Sequence, residues 1–302
     1  MIYRTTHTVA QRSSLANMQK NLAAMTKLQE QASSGRKINK ISDDPAGASQ
    51  SLSLRREQSA TEQYVRNAQD GQSWLNLADS ALSNSSALIR RARDLVVQGS
   101  NTATMNGQAR EALAAELDGI KNSLLDQANT TYLGRSIFAG TSGDGYAFDT
   151  DTYAFTGVAG ATVERRISDT ATVRVDISGA ETFGSNTTDP TSPDYSLFSL
   201  LDDISNTLRT GGNPQPALNA IDSRLNAVLN SASTVGARSN QIETATKNAT
   251  YNAMSLKNDV AGLENIDLAQ TVMDLKLQEV AYTSSLSATA KVLQPTLLDY
   301  LR

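Results

Sequence analysis

From Leu218 onward, apolar and small residues recur at alternating steps of three and four: Leu218, Ile221, Leu225, Val228, Ala232, Val235, Ser239, Ile242, Thr246, Ala249, Ala253, Leu256, Val260 and Leu263. A repeat kept for that long without a slip is the heptad seam of one continuous helix. At about 1.5 Å per residue such a helix runs roughly 70 Å, far beyond an ordinary globular helix, so its seam needs partners of similar length. Its start is marked by GGNPQP, with Asn213 or Gln215 near the cap and Pro214 and Pro216 where a first turn tolerates proline.

The first half of the chain supplies those partners. Leu75, Ala78, Leu82, Ser85, Ile89, Ala92 and Val96 keep the same spacing, as do Leu113, Leu117, Ile120 and Leu124, with a turn expected over 99–107. Many seam positions are Ala, Ser or Thr, which let helices approach closely but bury less than the roughly 1.5–3 kcal/mol of a large aliphatic side chain. Length compensates for a thin seam. Composition agrees, since only 39% of residues are hydrophobic and 5% aromatic, which suits slender helical packing better than a wide globular interior.

Two amphipathic stripes lie at the ends of the chain: Leu15, Met18, Leu22, Met25, Leu28 and Ala32, then Leu268, Val272, Leu275, Tyr282, Leu286, Ala290, Leu293 and Leu297. Neither is stable alone, so they either pair with each other or await another subunit. Between the first stripe and the next helix stands SGRKINKISDDPAG. Gly35 suits the left-handed conformation that closes a helix, Asp44 can cap the following one, and Pro45 fits its first position. This is a joint between two helices, and Arg36, Lys37 and Lys40 in it are candidates for meeting acidic neighbours.

Midway the period changes. ATVERRISDTATVRVDISG alternates Val163, Arg165, Ile167 and then Val173, Val175, Ile177 around turn residues Ser168 and Asp169, which predicts a β-hairpin. After DPTSPDY, Leu197, Leu200, Leu201 and Ile204 resume helical spacing. The expected fold is therefore mainly α: a long antiparallel helical rod, a coiled-coil-like bundle formed by the N- and C-terminal halves, with a small inserted β-rich domain. Residues 1–45 form the N-terminal helix and joint of a discontinuous terminal coiled-coil domain, and 46–140 the first part of the rod. The β-rich insertion spans 141–195, the returning rod 196–263, and the C-terminal helix of the terminal domain 264–302.

Chemistry finds few candidates. No cysteine is present, so disulfide, thiolate and zinc-thiolate chemistry are excluded. His7 is the single histidine and has no partner suggested by spacing. GTSGDG lacks the Lys-Ser/Thr of a phosphate loop, and Asp144, Asp149 and Asp151 lack the order and distal Glu of a calcium loop. Asp43 and Asp44 read as capping carboxylates rather than an acid–base pair. No enzyme, cofactor or metal site is expected. The net charge of -4 argues against nucleic acid or an anionic membrane as partner, and Arg90, Arg91 and Arg93 do not share a helix face. MIYRTTHTVAQRSSLANMQKN lacks the basic start and apolar run of a secretory signal, and no segment is long and apolar enough to span a membrane, so any export is expected to use another route.

The joint, SSGRKINKISDDPAG, resembles the stretch linking the first two helices in bacterial flagellins and flagellar hook-associated proteins. NAQDGQSWLNLADSAL, RARDLVVQGSN and ENIDLAQTVMDLKLQEVAYTSSLSATAKVLQPTLLDYLR are similar to further family motifs, in the family's order. Together they cover about two-thirds of the chain. YLGRSIFAGTSG, the short β insertion and the ending LLDYLR look more like the hook-filament junction branch, the third hook-associated proteins, than filament flagellin. Arg91, Asp94 and Leu95 match a flagellin stretch sensed by an animal innate receptor, but Asp94 replaces its Glu and Arg90 its Gln, so receptor binding is not expected.

The resemblance implies a secreted structural subunit of the bacterial flagellum, joining hook and filament. It also implies terminal helices that are disordered in the exported monomer and form a coiled coil on assembly. Implied partners are other copies, an adjacent hook-associated protein, flagellin and a type III export chaperone. The expected assembly seam is Leu15, Met18, Leu22, Met25, Leu28, Leu268, Val272, Leu275, Leu286, Leu293 and Leu297, and the joint residues are Gly35, Arg36, Lys37, Asp44 and Pro45. Two other readings stand beside this one: a self-polymerising filament flagellin, and a secreted helical adhesin or effector with a binding β module.

Overall fold

The heptad seam does form one helix: α6 runs unbroken over Leu218–Glu264 in the computed structural model, which describes residues 2–100, 106–158 and 160–293. The other helices are α1 (Ile2–Ser34), α2 (Pro45–Gly99), α3 (Gly107–Ala128), the short α4 (Gly179–Phe183), α5 (Leu197–Thr210) and α7 (Leu268–Leu293). The strands are β1 (Thr131–Tyr132), β2 (Arg135–Ser136), β3 (Glu164–Arg166) and β4 (Thr172–Arg174), paired as two separate antiparallel hairpins. The chain divides into two compact units, 1–60 with 252–302, and 61–251. The helix boundaries expected near 45 and 264 lie at the joint, whereas compactness divides within α2 and α6.

In the 61–251 unit, α2 and α6 lie antiparallel, with Arg93 Nε donating to Asp222 Oδ1 at 2.6 Å and Gln72 Nε2 to Ser239 Oγ at 2.7 Å. One seam position per heptad of α6 is fully covered (Ile221, Val228, Val235, Ile242), while Leu225, Ala232, Ser239 and Thr246 are half-buried. The whole expected seam of α2, from Leu75 to Val96, is buried, as are Leu113, Leu117, Ile120 and Leu124 of α3. Small residues permit this closeness. A Cβ on Gly71 would meet both Ile242 Cδ1 and Val175 Cγ1 at 3.1 Å, so α2, α6 and the insertion converge where a side chain is missing.

The turn expected over 99–107 is consistent at its edges: α2 ends at Gly99, and Asn106 caps α3 by accepting from the Ala109 amide at 2.8 Å. Residues 101–105 lie outside the described residues. Before α6, Gly211 closes α5 in the left-handed region, Asn213 Oδ1 accepts from the Gln215 amide, and a 3-10 turn over Gln215–Ala217 carries the prolines into the helix.

The β3–β4 hairpin has the expected alternation, with Arg165 opposite Val173 and with Val163, Ile167, Val173, Val175 and Ile177 all buried. Ser168 Oγ accepts from the Thr170 and Ala171 amides and so shapes the turn. Arg165 Nε donates to Asp70 Oδ2 at 2.7 Å, tying the hairpin to α2. The β1–β2 hairpin and α4 have no counterpart in the sequence reading. The insertion is held by the chain's five phenylalanines: Phe148 and Phe198 centroids lie 5.0 Å apart, Phe138 and Phe183 5.4 Å, and Phe155 leans on Phe148.

Candidate assembly site

Within the other unit, the joint and the terminal helices are close together. Gly35 sits at φ +70°, and its amide donates to the Gln31 carbonyl at 2.9 Å, so α1 ends in the left-handed closure expected of it. Asp44 Oδ1 accepts from the Gly47 amide at 2.9 Å and Pro45 opens α2, as the cap reading required. Asp43 Oδ2 accepts from the Asn39 and Lys40 amides, and Lys27 stands 3.3 Å from its other oxygen; these contacts, the Lys40 amide first, hold its carboxyl below the ordinary range despite partial burial. Lys40 pairs with Glu30 at 3.1 Å.

The joint links α1 to α2 as expected, but the segment it packs against was not legible beforehand. It is stitched to the crossing from α6 to α7: Arg36 pairs antiparallel with Asn265, the Lys37 amide donates to the Glu264 carbonyl at 2.6 Å, and the Ile266 amide donates to the Gly35 carbonyl at 3.3 Å. Beneath this bridge the Glu264 carboxylate accepts from Arg55 Nε at 2.8 Å, from Arg55 Nη2 at 2.5 Å and from Ser51 Oγ. Glu264 is 8% exposed, and Arg55 holds its carboxyl down at about 2, against the desolvation that would raise it. Ser51, Arg55 and Glu264 were absent from the sequence reading because a pairing across some two hundred residues leaves no local spacing. The one available signal was an acid at the last residue of a long helix, facing a joint with three cations.

The terminal helices take the first of their two expected options and pair with each other, with Gln278 Nε2 donating to the Asn21 carbonyl at 3.1 Å. Their mutual face is small and polar as much as apolar: Ser14, Met18, Asn21, Met25, Leu28 and Ala32 on α1 are partly covered, as are Leu275, Gln278, Tyr282 and Ser285 on α7, where Thr271 and Thr289 are buried. Of the expected seam, Met18, Met25, Leu28 and Leu275 are therefore on or beside this face. Leu15, Leu22, Leu268, Val272 and Leu286 are exposed, between 42% and 58%. The reason is geometric: the stripe is wider than one helix contact, and the helices meet along its polar edge. Met273, Leu277 and Val280 are exposed as well, so α7 carries large apolar side chains on the side away from α1. The side chains of His7 and Leu293, and all of Leu297, lie outside the described residues.

Elsewhere, Asp149 Oδ1 is engaged by the Asp151 and Thr152 amides and the Thr152 hydroxyl, which lower its carboxyl, and Asp144 accepts from Ser142 Oγ. Arg91 pairs with Glu116 of α3 and Arg93 with Asp222 of α6, so the basic cluster is spent on different helices. Among the described residues no group of three or more His, Cys, Asp or Glu is placed to hold a metal, and no helix is long and apolar enough to cross a membrane.

One unit built from both ends of the chain and stitched at a joint, and another of long paired helices bearing a mid-chain insertion, define a mainly helical protein whose first and last segments fold together. Family models described as the bacterial flagellin N-terminal helical region and the bacterial flagellin C-terminal helical region match residues 6–143 and 218–301. The chain belongs to the bacterial flagellin family. It is 27% identical to flagellin of Bacillus subtilis, covering 96% of both proteins, and 28% identical to flagellar hook-associated protein 3 of Salmonella typhimurium, covering 87% of this chain and 88% of that one. The crystal structure of the flagellar junction protein FlgL from Legionella pneumophila has the same fold, with a TM-score of 0.57 at 18% identity over 72% of this chain and all of that one.

Proposed function

We propose that this flagellar structural subunit is the adaptor that joins hook to filament, assembled by burial of the apolar surface its terminal helices leave open. The observation that carries the reading is the α1–α7 pair: its internal contact uses small and polar side chains as much as apolar ones, while Leu268, Val272, Met273, Leu277, Val280 and Leu286 are exposed. Covering a large aliphatic side chain contributes roughly 1.5–3 kcal/mol, which a neighbouring subunit can supply and a lone chain does not. A contact of this heterologous kind propagates into a layer rather than closing pairwise. Its partners would be further copies, an adjacent hook-associated protein and flagellin. It would reach the flagellum by the type III route with a dedicated chaperone.

Filament flagellin is the second reading, favoured by the end-to-end similarity to the Bacillus subtilis protein. Heating and seeding the purified chain separates the two, since flagellin extends filaments alone and a junction subunit stays monomeric. Deleting the gene tests the adaptor directly: hooks without filaments, with flagellin shed into the medium, are expected, and normal filaments would refute it. Removing residues 287–302 should leave a soluble helical chain that cannot restore filament attachment.

A further inference from the structure

The joint encloses a surface groove of about 220 Å³ that its own chain leaves unfilled. Ile38, Ile41 and Leu52 line it together with Arg36, Lys40, Arg55 and the Glu264 carboxylate that Arg55 neutralises. Ile41 is 70% exposed and Leu52 56%, so two large aliphatic side chains frame one opening instead of being scattered singly. Lys40 and Arg55 have carboxylate partners in Glu30 and Glu264; among the described residues Arg36 and Lys37 form no ion pair, although the Arg36 charge helps to lower the Glu264 carboxyl.

The charge of the chain is partitioned to match. The unit formed by 1–60 and 252–302 carries 13 Arg and Lys against ten Asp and Glu, whereas 61–251 carry 14 against 21. A basic opening in one unit and an acidic surplus in the other allow one copy to present to the next a surface of opposite charge, a contact that can propagate head to tail. The same acidic surplus would repel a nucleic acid or an anionic lipid surface. In the acidic unit, exposed apolar side chains with a carboxylate beside them are available: Val97 one turn from Asp94, and Tyr146 near Asp144.

From these observations we infer that the joint groove is a docking site for the acidic 61–251 unit of a neighbouring copy, an apolar side chain entering between Ile41 and Leu52 while carboxylates meet Arg36 and Lys37. The inference rests on the reading of the chain as an assembling subunit, and names the surface by which copies lie against each other. It is separate from the apolar face of α7, where Met273, Leu277 and Val280 are exposed.

The test uses full-length chain in flagella, with a genetically encoded benzophenone amino acid at Ile41 or, should that variant fail to assemble, at Leu52. Both side chains point to solvent, so either can be replaced without opening the core. Irradiation is expected to give a covalent dimer of this chain with the attachment mapped within 61–251. In the Leu52-labelled chain, adding Ile41→Asp should cut the dimer yield roughly tenfold, with unchanged helical circular dichroism. Attachment to another protein, attachment only within 252–302, no adduct in flagella that assemble normally, or a yield indifferent to Ile41→Asp would each overturn the groove assignment. The adaptor reading fails separately, if the gene deletion leaves normal filaments.

Discussion

Glu264→Gln isolates the contact that stitches the joint. Gln keeps the size and an acceptor oxygen but removes the charge that Arg55 and Ser51 meet. The carboxyl is held at about 2 instead of 4.5, and at roughly 1.4 kcal/mol per pH unit that difference corresponds to about 3 kcal/mol. Arg55 is 44% exposed in its side chain and is screened by water and salt, which reduces the expected loss to about 2 kcal/mol. The Lys37 and Ile266 amides report it, because they close the backbone bridge directly above the carboxylate. Local opening 2 kcal/mol easier should speed their hydrogen exchange roughly 30-fold at neutral pH, corrected for intrinsic rates. A depressed carboxyl contributes its stability above the unfolded value and loses it as pH falls through the folded one. Protection in the native chain should therefore decline between about pH 4.5 and 2, and the Gln variant should decline less across that window, keeping only what Asp43 and other carboxylates contribute. Equal protection in both chains at neutral pH, or a native profile with no decline on acidification, would refute the role given to this ion pair.

Other substitutions probe separate parts of the molecule. Gly35→Ala finds open space around its new Cβ but must hold φ +70°, so it should cost about 1 kcal/mol and lower the urea midpoint without altering the insertion. Phe198→Ala removes a fully buried ring from the five-phenylalanine cluster and should cost about 3–5 kcal/mol, read as a lower melting temperature and a weakened near-ultraviolet dichroism. Leu277→Ser with Val280→Ser changes two side chains that are 69% and 63% exposed. Monomer stability should move by less than about 0.5 kcal/mol per site, while filament attachment in a complemented deletion strain falls; normal swimming would remove the apolar face of α7 from the assembly mechanism.

Legibility followed the range of the interactions. The rod could be read before any coordinates because a heptad repeat is local: every step from Leu218 to Leu263 constrains the next, and the matching repeat over Leu75–Val96 is buried as its spacing required. Caps and breaks are local too, which is why Gly35, Asp44, Pro45 and Asn213 are where the chain's chemistry indicated. The β3–β4 hairpin was visible for the same reason, through six alternating positions around a Ser-Asp turn. The β1–β2 hairpin was not: with two residues per strand it has no period, and its turn uses Leu133 at φ 50°, a conformation that no propensity would assign to leucine.

The pattern of residues thus settled which segments are helical, where they stop and that two apolar stripes flank the chain, since each of these depends on neighbours within a few turns. Three-dimensional packing alone decided which edge of each stripe is used. Helices α1 and α7 meet along Asn21 and Gln278 rather than along Leu15, Leu22 and Leu286, because contact between cylinders covers only a narrow strip and a hydrogen bond in that strip competes with burial of a leucine. Packing also placed Glu264 under the joint, where a carboxylate and a guanidinium 209 residues apart in the chain come within 2.8 Å. Only the fold can set that distance, because nothing in the intervening residues encodes the other end.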